Sequence, residues 1–221
     1  MIMPASSFVM RNHFWLRRLH SLFGVLPIGG FMLFHFYENA LAITSQKDFN
    51  DASAAIRGNP FILFLEIFII YIPLLYHVIY GLYIMAYSRQ NAIGYSYYRN
   101  WAFFWQRATG IIALVFLLYH QLTFRFGIFA SHSATYDGVM SFLAVGWIYV
   151  FYIIGIVAIS FHLTNGIWAF LVSWGFTVGP RAQKISAYVC GLLFVAVAYL
   201  GVAIATHYYL VGNGITGTFL S

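Results

Sequence analysis

The sequence predicts an all-α integral membrane protein, a bundle of five transmembrane helices. Of its 221 residues, 62% are hydrophobic and only 7% charged, with a mean hydropathy of +0.81. A soluble domain of this size has about a quarter of its residues charged, so most of this surface cannot face water. Five apolar runs are long enough to cross about 30 Å of hydrocarbon at roughly 1.5 Å per residue. None alternates as a barrel strand does, which leaves helices as the spanning structure. A soluble Rossmann, TIM-barrel or nucleic-acid-binding domain is thereby excluded. The net charge of +6 has no Lys/Arg-rich stripe to present to a nucleic acid. A single cysteine, Cys190, excludes a disulfide framework and a cysteine-held iron–sulfur cluster.

The spans are expected at residues 21–43, 61–87, 105–130, 145–174 and 185–211, within one domain covering 1–221. Arg11, Arg17 and Arg18 precede the first span. Arg89, Arg99 and Arg107 lie between or at the edges of the second and third, and Arg181 and Lys184 between the fourth and fifth. The opposite side holds only Lys47, Arg57 and Arg125, and all five acids (Glu38, Asp48, Asp51, Glu66, Asp137) fall toward it. The positive-inside rule puts the N-terminus in the cytoplasm and the C-terminus outside. Arg17-Arg18, the apolar run and Ala40-Leu41-Ala42 superficially fit a cleavable leader. The run exceeds a usual leader's apolar region, so the first span is expected to stay in the protein.

Four of the eight histidines sit deep in the spans, one in each of the first four: His35, His77, His120 and His162. Ionisable side chains are costly inside a membrane and mark functional sites by default. His35 and His120 are 85 residues apart, as are His77 and His162. The surroundings repeat too: His77 precedes Gly81 as His162 precedes Gly166, and Arg18–Ser21 and Arg107–Gly110 occupy similar places near the ends of spans one and three. Spans one–two and three–four therefore read as two copies of one hairpin. Depth pairs the histidines. His35 and His120 lie past the midpoints of outward-running helices, His77 and His162 past those of inward-running ones, so the two levels differ by about 10 Å.

Two imidazoles at one depth can supply both axial ligands of a haem iron, and Gly81 and Gly166 leave room beside their helices for the macrocycle. The arrangement predicts two stacked b haems: an outer one with iron on His35 and His120, and an inner one on His77 and His162. A single buried histidine is more often hydrogen-bonded to a neighbouring helix; the matched depths and the repeat favour ligation here. No cysteine or carboxylate shares either level to complete a zinc site. HExxH is absent, against an intramembrane metalloprotease, and CxxCH is absent, against covalent haem. His13, His132 and His207, near the faces or in loops, are expected to be solvated.

Several segments resemble a known family. They are Arg17–Gly24 (RRLHSLFG), Leu65–His77 (LEIFIIYIPLLYH), Tyr95–Trp101 (YSYYRNW) with Gln106–Gly110 (QRATG), Phe161–Trp168 (FHLTNGIW), and Thr177–Arg181 running to Ile185-Ser186. In these the chain resembles the five-helix, di-haem cytochrome b membrane anchor of succinate:quinone oxidoreductases, the succinate dehydrogenases and fumarate reductases. It is most similar to the single-chain anchors that use menaquinone. The resemblance covers nearly the whole chain; the loop around Ser131–Asp137 and the tail after Thr206 are less typical. It implies a flavoprotein subunit and an iron–sulfur subunit on the cytoplasmic side, and (mena)quinone as substrate at this subunit. It also implies a bacterial cytoplasmic (inner) membrane and a place in the respiratory chain and tricarboxylic acid cycle. The family pairs helix one with three and two with four, in agreement with the depth argument. With no Gly-rich dinucleotide loop and no cluster cysteines, this chain cannot by itself oxidise succinate.

Haem carboxylates need cationic or hydrogen-bonding partners, for which Arg107, His20, Ser21 and then Arg18 are the candidates. Plain positive-inside anchoring is the alternative for the arginines. Glu66, about one turn inside the outer end of span two, is a candidate catalytic group for proton exchange with quinone. The alternatives are snorkelling to the surface or a bond to a neighbouring helix. Two other functions remain open at this point: the cytochrome b anchor of a hydrogenase or formate dehydrogenase, and a non-redox transporter with buried polar histidines.

Overall fold

The computed structural model describes residues 8–89, 91–129 and 134–215, and every regular element among them is helical. Helix α1 (Phe8–Phe23) continues through a π turn at Gly24–Ile28 into α2 (Gly29–Thr44). Pro27 has no N–H to donate, and its ring crowds the carbonyl four residues back, so the turn widens. The Gly29 N–H accordingly reaches the Gly24 carbonyl, five residues earlier. After α3 (Gln46–Arg57) come α4 (Ile62–Leu65), a second π turn at Glu66–Tyr71 just ahead of Pro73, and α5 (Ile72–Tyr87). The rest is α6 (Tyr98–Phe124), α7 (Tyr136–Leu143), α8 (Gly146–Ser173) and α9 (Gly179–Gly212).

Five of these stretches are long and apolar enough to cross a membrane: Arg11–Thr44, Ile62–Tyr87, Tyr98–Phe124, Gly146–Ser173 and Gly179–Gly212. Their number matches the expectation, while several of their ends differ; the fifth, for one, begins at Gly179 and not at residue 185. The first crossing helix begins well before residue 21, because hydropathy marks the apolar part of a helix and not its polar first turns. The third runs 98–124 where 105–130 was expected. It stops at Arg125, and the left-handed backbone of Gly127 (φ +63°) turns the chain away; residue 130 lies outside the described residues.

The packing is that of a membrane bundle. On α9 the stripe Cys190, Val197, Gly201, Ile204, Ala205, Tyr208 is buried, while Tyr188, Leu192, Val195 and Tyr199 point outward, Leu192 being 73% exposed. Such an apolar exterior suits lipid and not water. Small residues let the helices approach: Gly155 of α8 lies against the Phe116 ring of α6, and Gly201 of α9 against Ile156 and Phe36. One end of the bundle carries most of the arginines. The other is covered by α3 and α7, two short helices that hydropathy does not reveal. The Ser45 hydroxyl caps α3 by accepting the Asp48 N–H (3.2 Å), and the Thr135 hydroxyl caps α7 by accepting the Gly138 N–H (3.3 Å). Phe49 of α3 and Tyr136 and Phe142 of α7 close over Tyr152 and Tyr208 in one cluster.

Candidate functional site

The four histidines meet in two pairs inside the bundle. The His77 and His162 ring centroids are 6.0 Å apart at 88°, and those of His35 and His120 are 5.8 Å apart at 75°. A metal–nitrogen bond of about 2 Å on each side, plus the ring itself, puts two imidazoles flanking one ion roughly 6 Å apart. Among the described residues no group of three or more His, Cys, Asp or Glu converges. The donor set is therefore two imidazoles per level, which suits a metal whose other positions are filled by a macrocycle.

Within the first pair the tautomer is set by the backbone. His77 Nδ1 lies 3.0 Å from the His20 carbonyl, and His162 Nδ1 lies 2.9 Å from the Gln106 carbonyl. A carbonyl only accepts, so Nδ1 carries the proton in both rings and the Nε2 lone pair is left free. Each ring lies beside a glycine of the same neighbouring helix. A Cβ on Gly24 would sit 2.5 Å from His77 Cε1, and one on Gly110 would sit 2.9 Å from His162 Cε1. The second pair is held differently. Tyr152 Oη lies 3.1 Å from His120 Nδ1, a Glu38 carboxylate oxygen lies 3.6 Å from His35 Nδ1, and Asn39 donates to the His35 carbonyl at 2.8 Å. Phe31 stacks on His35 and Phe116 on His120, at 5.6 and 5.9 Å.

Beside His77 and His162 a cleft of about 720 Å³, measured out to its open mouth, runs between α5 and α6. Apolar side chains (Val78, Leu82, Ile111, Leu114) line it, together with His20, Gln106 and Arg107. Two polar atoms there are buried without a partner, His20 Nδ1 and Arg107 Nη2. A buried cationic N–H with nothing to bond is costly, and a carboxylate-bearing apolar group entering the cleft would satisfy it. The residues present thus fit a haem.

The other expected site residues divide. His20 is part of the cleft, its ring stacked on His77 at 4.1 Å and 6°. Gly81 lines the cleft, where a Cβ would stand 3.1 Å from His20 Cε1; Gly166 instead faces the Gln106 amide. Arg18 and Ser21 do not line it. Arg18 donates to the Ser173 carbonyl (3.3 Å) and lies over the Phe14 and Trp174 rings, while Ser21 accepts the Trp174 indole N–H (3.1 Å), so both tie α1 to the end of α8. Glu66 is bonded to a neighbouring helix end: Arg125 donates to its carboxylate at 2.7 Å, with the Glu66 side chain 18% exposed. That bond raises the Arg125 guanidinium further above its ordinary range.

His13 and His207 are not simply solvated. Each meets a tyrosine hydroxyl, Tyr80 at 2.8 Å and Tyr136 at 3.0 Å; His132 lies outside the described residues. Sequence reasoning missed Gln106, Tyr152, Gly24 and Gly110 as site residues. The 86-residue interval that separates both His20 from Gln106 and Gly24 from Gly110 was the available signal.

A five-helix membrane bundle with two facing histidine pairs in its interior defines a class, the histidine-paired subunits of membrane-bound redox assemblies. Comparison narrows it. The succinate dehydrogenase/fumarate reductase transmembrane subunit family matches residues 85–202. The succinate dehydrogenase cytochrome b558 subunit of Bacillus subtilis (strain 168) is 43% identical over 190 residues, which cover 86% of this chain and 94% of that protein. The chain belongs to this family. It is a multi-pass membrane subunit of a succinate:quinone oxidoreductase, which decides against the hydrogenase, formate dehydrogenase and transporter readings.

Proposed function

We propose that this subunit anchors a flavoprotein and an iron–sulfur subunit to a bacterial cytoplasmic membrane and passes electrons between the iron–sulfur subunit and quinone, menaquinone in particular, through two b haems. The observation that carries this is the pair of facing imidazole sets, 5.8 and 6.0 Å between centroids, one above the other in the bundle. His77 and His162 would ligate the inner iron, and His35 and His120 the outer. When bound, the haems supply one-electron chemistry.

The protein's own residues supply the rest. Hydrogen bonds at Nδ1 orient His77, His162 and His120 and increase the electron donation of Nε2. Arg107 and His20 would hold the inner carboxylates through the two atoms that lack partners. Phe31 and Phe116 stack on the outer pair and hold its rings in place. Glu66, positioned by Arg125, is the group offered for proton exchange with quinone at the outer end. The arginine-rich end faces the cytoplasm by the positive-inside rule and receives the iron–sulfur subunit.

The test is a reduced-minus-oxidised spectrum of the purified intact complex, with a pyridine haemochrome assay of haem per chain. Two b haems per chain support the reading. A haem-free preparation from membranes that make haem normally overturns it.

A further inference from the structure

The two hairpins match with a one-residue discrepancy, and the structure localises it. At the inner level the equivalent residues of the first and third crossings are His20 and Gln106, whose carbonyls accept from His77 and His162, and Gly24 and Gly110, which lie beside those two rings. Both equivalences span 86 residues. At the outer level Phe31 and Phe116 stack on His35 and His120, and those equivalences span 85. One residue therefore drops out of register between Gly24 and Phe31. The π turn at Gly24–Ile28 fills that interval, whereas α6 is unbroken α-helix over Tyr98–Phe124.

A π turn accommodates one residue more than an α-helical turn without advancing the helix that follows. Gly24 to His35 is eleven steps and Gly110 to His120 is ten. As uninterrupted α-helices these would leave the two histidines about 100° apart in direction and about 1.5 Å apart in height. Absorbing the eleventh residue makes the two paths equal.

We propose that the π turn forced by Pro27 is the positioning element of the outer site: it cancels a one-residue excess in the first crossing and so brings His35 to face His120. The inference rests on the two-haem reading above. It makes the unusual forecast that a residue eight positions before a ligand can be deleted from a transmembrane helix without turning the ligand away.

The test compares two single-residue deletions in the intact complex, read by haem per chain and by the low-temperature spectra of the two haems. Deleting Pro27 removes the excess residue and the helix breaker together, leaving ten steps in continuous α-helix, so both haems are retained. Deleting Val115, an outward-facing residue of α6 between Gly110 and His120, leaves nine steps with no turn to absorb the change, so the outer haem is lost and the inner one stays. Loss of the outer haem from the Pro27 deletion, with or without the inner one, overturns the proposal, as does its retention in the Val115 deletion. A haem-free wild-type complex overturns the underlying reading as well, and the two failures are distinguished by the wild-type spectrum.

Discussion

At the scale of single residues, the Nδ1 partners distinguish the two histidine pairs. His77 and His162 donate to backbone carbonyls, which no side-chain substitution removes, whereas His120 meets the Tyr152 hydroxyl. Tyr152→Phe is therefore expected to keep both haems but shift the midpoint potential of the outer one alone, as measured by redox titration. His77→Ala removes the inner haem and leaves the outer largely intact, and His35→Ala does the reverse; loss of the same spectral band in both variants would sink the pairing. Gly110 makes a steric prediction. A valine there drives a side chain into the His162 ring, with an overpacking cost of about 1–3 kcal/mol. The inner haem should be lost while the outer is retained in the haemochrome assay.

At the scale of elements, the α3–α7 cover stabilises the end of the bundle over the outer pair. Phe49 is buried in its centre beside Tyr136 and Tyr208. Phe49→Ala should cost about 3–5 kcal/mol and lower the unfolding midpoint clearly. Ser45→Ala, which removes the α3 cap, costs only about 1 kcal/mol. A Phe49→Ala protein with an unchanged melting temperature would mean that the cover is not coupled to the bundle. Apolar runs long enough to span a membrane were legible because a crossing helix must be apolar over its full length. Neither α3 nor α7 was legible, since an eight- or twelve-residue amphipathic helix looks like a polar loop until its partner face is present. The π turns were equally hidden, because Pro27 and Pro73 signal a distortion but not its kind.

At the scale of the whole molecule, eight of the eleven basic residues lie at one end of the bundle. That asymmetry predicts sidedness. In a variant lacking Cys190, a single cysteine replacing Lys47 should react with an impermeant maleimide added outside cells. One replacing Arg99 should react only after lysis. Labelling in the opposite sense would invert the proposed orientation and the docking of the iron–sulfur subunit with it. The proposed pair of haems stacked across the bundle also predicts that turnover with a water-soluble quinol changes the membrane potential of proteoliposomes, an outcome that a fluorescent potential probe checks.

By itself the sequence determined the five crossings, the pairing of four histidines by depth, and the place of Arg107 and His20 near the inner pair. These depend on hydropathy and rise per residue, quantities additive along one helix. Only the tertiary structure decided that Arg18 and Ser21 turn toward Trp174, that Glu66 is bonded by Arg125, and that carbonyls of residues 20 and 106 set the Nδ1 protons. These depend on how each helix is rotated about its axis. Rotation is fixed by contact with neighbouring helices, at close approaches such as Gly24 on His77 and Gly155 on Phe116, and no single helix carries that information alone.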